Sequence, residues 1–228
     1  MSRVFLAVTG IAVILTGAFP AQGDLVTFSA SGVGVDSHPL SATVTFETAG
    51  DSLIVTLANT ASASAEVPAD ILTGVFFTWE GDPALDELTA TLASGGIVLF
   101  PASGDGTDSG QVGGEWAYAH GLTGAPRGAN QGISSTGLGL FGDATFAGGN
   151  LQGPAAINGL SYGIVPATGT AGGNAPLTGP NAFIMNSVVF HFDITGLNLS
   201  LDDISDVSFQ YGTSLTEPSI TTIVPEPA

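Results

Sequence analysis

The chain has 228 residues, of which 20 are acidic and two basic, for a formal net charge of −18. Such a field repels nucleic-acid phosphates and anionic membrane surfaces, which excludes both as partners, and it attracts divalent cations. With no cysteine, disulfide staples, thiol catalysis and a lipid-linked cysteine are excluded, so the fold must stand on its core.

Met1 to Gly23 has the layout of a secretory signal peptide. Arg3 and the amino terminus supply the positive end, and Val4 to Leu15 is a run of small and apolar residues. Ala21-Gln22-Gly23 places small residues where a signal peptidase reads them. Cleavage is expected after Gly23, leaving Asp24 first. The apolar run falls short of the ~20 residues that span a bilayer, and no later stretch reaches that length, so stable membrane insertion is not expected. Cleavage removes Arg3 and leaves Arg127 as the only basic residue, with no lysine, against all 20 acids.

Residues 24–218 form one expected domain, large enough to bury roughly 70% of its unfolded surface. Val26 and Phe28 mark a first strand before a turn at Ser31-Gly32-Val33-Gly34. Leu40, Ala42, Val44 and Phe46 then share one face, and Ser41, Thr43, Thr45 and Glu47 the other. After a turn at Ala49-Gly50-Asp51, Leu53, Val55 and Leu57 resume the apolar face. This period of two describes a hairpin with one wet and one dry side. Ile71 to Trp79 is rich in aromatic and branched residues and reads as a more buried strand. Pro83 to Leu92 is a weak helix candidate carrying Thr89 and Thr91, and reads as turn then strand.

From Gly95 to Gly179 the chain holds 23 of its 33 glycines and five charged residues. Glycine at this density suits tight turns and close backbone approach. Trp116, Tyr118, Phe141, Phe146 and Tyr162 lie in the same span and are costly to leave in water, so short ordered strands and loops capping one end of the fold are expected. A phosphate-cradling loop is excluded in its usual form, since no lysine completes it.

Val188, Phe190, Phe192 and Ile194 alternate with Val189, His191 and Asp193 as a further strand. Val207, Phe209 and Tyr211 give a last one facing inward, before residues 219–228 form a Pro-rich tail. Many short strands with turn signals and almost no helix predict an all-β fold, an antiparallel β-sandwich or jelly roll with a glycine-rich loop region.

Val224-Pro225-Glu226-Pro227-Ala228 resembles the start of the Pro-Glu-Pro carboxy-terminal (PEP-CTERM) sorting signal of Gram-negative exosortase substrates. In that family an apolar spanning segment and an arginine cluster follow; this sequence stops at Ala228, before both. Gly113-Gly114-Glu115-Trp116-Ala117-Tyr118, Gly132-Ile133-Ser134-Ser135-Thr136-Gly137, Phe76-Phe77 and the Phe209–Ser219 stretch extend the resemblance over most of the chain. It is similar to an exosortase-dependent surface protein. The resemblance implies sorting by exosortase, an address at the cell surface or in the extracellular biofilm matrix, and no catalytic residues.

The chemistry-bearing residues offer bland readings beside sharper ones. His38, His120 and His191 share no metal spacing and read as surface histidines. The Gly132–Gly137 stretch is not a nucleophile elbow, because its second glycine comes too late. Twenty acids supply carboxylate pairs by coincidence, so glycosidase chemistry has no specific support. Asp105 and Asp108, and Asp202, Asp203 and Asp206, could bind calcium through hard oxygens, or serve as turn residues. Trp79, Trp116 and Tyr118 could stack sugars, or pack in the core. Arg127 is expected to fold back onto Glu115, its planar fork lying over Trp116. The expectation is a non-enzymatic exported protein with a structural or adhesive role and no obligate cofactor, in contact with exopolysaccharide. The alternative is a calcium-assisted carbohydrate-binding module with an exposed aromatic platform.

Overall fold

The computed structural model describes residues 23–100, 110–151, 157, 159–167, 172–173, 177, 179 and 181–222. The described strands, in chain order, are β1 (Leu25–Val33), β2 (Pro39–Ala49), β3 (Ser52–Asn59), β4 (Leu72–Trp79), β5 (Asp86–Leu92), β6 (Val98–Leu99), β7 (Ala117–Ala119), β8 (Gln131–Ser134), β9 (Ile164–Val165), β10 (Phe183–Met185), β11 (Ser187–Asp193), β12 (Ile204–Tyr211) and β13 (Ser219–Thr221).

They make an all-β sandwich. The first sheet runs β1-β2-β3-β11-β5 and is antiparallel throughout. The second runs β13-β12-β4-β9-β10-β6, with β8 paired to β4 and β7 to β8. Its β9–β10 pair is parallel. Side chains alternate across each strand, so every second residue of the facing strands enters one core. Leu40, Ala42, Val44 and Phe46 of β2 meet Leu53, Val55 and Leu57 of β3 and Val188, Phe190 and Phe192 of β11. The second sheet answers with Val75, Phe77 and Trp79 of β4 and Val207, Phe209 and Tyr211 of β12. Each fully buried large apolar side chain adds about 1.5–3 kcal/mol of transfer free energy.

Strand β4 has no wet face. Phe76 turns away from the main core and packs with Ala125 and Ala129 under Leu122, Leu138, Phe141 and Leu215. Ile71 joins Leu160, Val165, Leu177 and Phe183 in another small cluster. The mostly apolar run from Ile71 to Trp79, with no polar alternation, is thereby explained, since a strand covered on both faces needs no wet side. Its Thr73 is buried with its hydroxyl on the Gly212 carbonyl.

Three boundaries differ from the sequence reading. Strand β1 runs through Ser31-Gly32-Val33, and the turn falls at Val35–Ser37, where Asp36 and Ser37 take positive φ. Gly32 is in-strand because Ile220 packs on it; a Cβ there would sit 2.7 Å from the Ile220 Cγ2. The sheet also continues past 218, for β13 pairs with β12 and buries Ile220. Finally, the glycine-rich middle does not cap one end of the sandwich. It supplies β6 to β9 of the second sheet, and Val112 and Ala147 hydrogen-bond along the outer edge of β5. Gly113 and Gly114 permit this, since a Cβ on either would collide with the carbonyl of Ala147 or Gly149. Pro83 to Leu92 is turn then strand, as expected.

Candidate functional site

The most closely knit group of ionisable side chains joins the β1–β2 connection to the segment between β3 and β4. His38 follows the Val35–Ser37 turn directly, its backbone fixed by Gly34 N–H to His38 O (2.8 Å) and His38 N–H to Val35 O (3.0 Å). Across from it, Pro68–Asp70 forms a single 3-10 turn that delivers Asp70 into the protein at 5% exposure. Asn59 anchors that segment: its Nδ2 donates to the Asp70 and Ile164 carbonyls, and its Oδ1 accepts from Ala61 N–H.

Asp70 Oδ2 is the hub. It accepts from Glu66 N–H (2.9 Å), Val67 N–H (3.1 Å) and the His38 imidazole at Nδ1 (2.8 Å). A carboxylate only accepts, so Nδ1 carries the proton. Nε2, on the other side of the ring, lies 3.8 Å from Glu66 Oε2. The imidazole is thus clipped between two carboxylates. The bond to Asp70 lifts its pKa above the ordinary histidine value, partial desolvation opposes this, and the charges of Asp70, Glu66 and Asp36 add to the rise. A general base needs an Nε2 facing a hydroxyl or water that it can deprotonate. Here Nε2 faces a carboxylate that favours the imidazolium, and the chemistry is that of a charged tie between two loops.

The sequence reading took His38 for a surface histidine. The missed signal is Asp70 itself, an acid set between Ala69 and Ile71 at the mouth of a largely apolar, buried strand, where a buried carboxylate must find donors.

The aromatic residues proposed for glycan binding are core residues. Trp79 is 1% exposed and packs on Phe46 and Phe77; its backbone is held both ways by Asn130. A groove of about 240 Å³ opens near it, lined also by Glu80, Pro83, Leu197 and Asp203, but the indole is not displayed there. Trp116 is fully buried, edge-on to Phe190 at 5.1 Å. Tyr118 packs on Phe192, and its one hydroxyl proton lies between two acceptors, Gln131 Oε1 and the Pro83 carbonyl; desolvation raises its pKa. These rings do not form a platform.

Arg127 pairs with a different acid from the one expected. Its Nη2 reaches Asp206 Oδ1 at 3.3 Å, with both side chains nearly half exposed. Glu115 is buried and accepts from Leu151 N–H at 2.7 Å. The loop turns at Arg127, where φ is 58°, and a bulge in β12 turns Asp206 outward. Of the calcium candidates, Asp202 and Asp203 lie in a 3-10 turn capped by Ser200, while Asp206 faces Arg127. Among the described residues no three His, Asp or Glu side chains gather in a way that could hold a metal. Asp105, Asp108, Val224, Pro225, Glu226, Pro227, Ala228 and the expected signal peptide up to Gln22 lie outside the described residues. Among those described, no helix is long and apolar enough to cross a membrane.

Comparison with protein-family models, with curated proteins and with solved structures finds no match to this chain.

Proposed function

We propose that this chain is an exported β-sandwich, carried by the exosortase route to the surface or extracellular matrix of a Gram-negative cell, where its role is structural or adhesive and not enzymatic. The observation that carries the reading is the pairing of the Met1–Gly23 export layout with the Pro225-Glu226-Pro227 motif. The folded body fits that address. It is cysteine-free, strongly acidic, built of hydrogen-bonded sheets, and its large aromatic rings are spent on packing. With no cysteine the fold forms without disulfide chemistry in whichever compartment it reaches, and the acidic surface keeps it apart from nucleic acid and anionic lipid.

The test is expression in an exosortase-bearing Gram-negative host and in the same strain with the exosortase gene deleted. Cell-surface and matrix fractions of the parent strain should contain protein beginning at Asp24. Deletion, or Glu226→Ala with Pro227→Ala, should shift it away from those fractions. Intact Met1–Gly23 in the exported material, or unchanged fractionation without the exosortase, overturns the reading.

A further inference from the structure

The outer edge of β1 is a row of open backbone groups. Thr48 N–H donates to Asp24 O, and Gly34 N–H to His38 O. With the β1–β2 register, these bonds direct the even-numbered residues of the strand toward β2. Antiparallel pairing then turns the N–H and C=O groups of Leu25, Thr27, Ser29, Ser31 and Val33 outward. Among the described residues these five make no backbone hydrogen bond beyond β2's side, and β1 has β2 as its one sheet neighbour.

Such edges are usually blunted by charge, proline, a bulge or a cover. The nine residues LVTFSASGV contain no charged residue and no proline, and they pair with β2 over their full length without a bulge. The other edges are protected. That of β5 is capped by Val112 and Ala147, β6 is only two residues long, and β7 and β13 are three each.

We propose that β1 pairs with β1 of a second copy of this chain, antiparallel about a two-fold axis at Ser29, fusing two five-stranded sheets into one. The strand is complementary to itself in that register. Leu25 and Val33, exposed at 61% and 68%, lie opposite one another across the axis. Thr27 meets Ser31, and Ser29 meets its own copy. Asp24 falls opposite Gly34, so no carboxylate of the strand ends faces another. All five pairs are of the hydrogen-bonded kind, giving about ten N–H···O bonds. A symmetric contact of this sort closes at the dimer, and the nine residues of the strip carry no charge in a chain with 20 acids. The proposal rests on cleavage after Gly23, which leaves Asp24 at the head of β1, and not on sorting by exosortase; the test on purified protein separates the two.

The experiment uses the chain from Asp24 onward in sedimentation equilibrium, with three substitutions at the axis. The wild type should sediment as a dimer at tens of micromolar. Ser29→Asp and Ser29→Lys each place like charges opposite one another and should weaken the dimer at least about tenfold. Mixing the two variants should restore a dimer containing one of each. Ser29→Cys, the only cysteine in the chain, should form a disulfide-linked dimer under mild oxidation, since paired Cα atoms there are about 5.5 Å apart. A wild type that stays monomeric to about 1 mM, a dimer indifferent to both charge variants, or a Ser29→Cys chain that fails to cross-link overturns the proposal. The cross-link stands alone should a charge variant fail to fold.

Discussion

His38 binds its proton more tightly in the folded chain than in the unfolded one, because both ring nitrogens face carboxylates. A group with a raised folded pKa contributes stability that is fully present below its unfolded pKa, 6.5 for this residue. That contribution is lost as pH rises through the higher folded value. The acidic surface titrates too, so the readout is the difference in melting temperature between wild type and His38→Gln, followed from about pH 5 to pH 8.5. The wild-type advantage should shrink toward the alkaline end; a difference that does not change with pH removes the imidazolium tie. Asp70→Asn should cost about 1–3 kcal/mol, since three donors converge on one buried oxygen, and the loss should be larger at the acid end, where the His38 imidazolium is populated. Arg127 behaves oppositely. Its pair with Asp206 is exposed, worth about 0–1 kcal/mol, and its left-handed backbone favours glycine. Arg127→Gly should therefore change stability by less than about 1 kcal/mol, although it deletes the last basic side chain; a loss of several would show that the pair matters. Neither partner was legible in the sequence. His38 and Asp70 are 32 residues apart and Arg127 and Asp206 79 apart, and only the strand pairing brings them together.

Among the elements, β2, β3 and β11 were readable because one face is wet, so alternation fixes both the strand and its inward residues. Strand β4 was readable as a buried strand but not as one covered by two clusters, since a run without polar alternation carries no directional information. Gly32 misplaced the first turn because glycine signals a bend and close approach equally well; the deciding contact, Ile220, is 188 residues downstream. The aromatic residues of the middle read as costly in water, and of their two readings, sugar stacking or core packing, the structure gives the core. These placements yield separable predictions. Phe190→Ala removes a ring that touches Trp116 and Phe146 and should cost about 3–5 kcal/mol. Gly114→Ala adds one methyl group, yet it should cost about 1–3 kcal/mol, because the colliding atoms are backbone and cannot rotate aside. Urea unfolding measures both, and a neutral Gly114→Ala would mean that the segment covering β5 is loosely held.

For the molecule as a whole, 20 carboxylates and, after signal cleavage, one arginine act on two equilibria at once. Within one chain they repel across the folded surface, and between two chains they oppose association however well β1 fits its copy. Both repulsions are screened on the same scale, for the Debye length falls from about 30 Å at 0.01 M salt to about 8 Å at 0.15 M. Raising sodium chloride through that window should therefore raise the melting temperature and the dimer fraction together. The monomeric Ser29→Asp variant separates the two effects, since its melting temperature reports only the intramolecular one. It should keep a smaller salt dependence than the wild type, whose melting temperature also gains from association. Calcium chloride at matched ionic strength separates screening from binding. A rise beyond that of the sodium salt, reversed by chelator, would place a site among the acids, with Asp105 and Asp108 the first to replace by asparagine. If the wild type and Ser29→Asp respond identically to sodium chloride while the wild type is dimeric, the dimer contributes nothing to stability and is not built through the hydrogen bonds of β1.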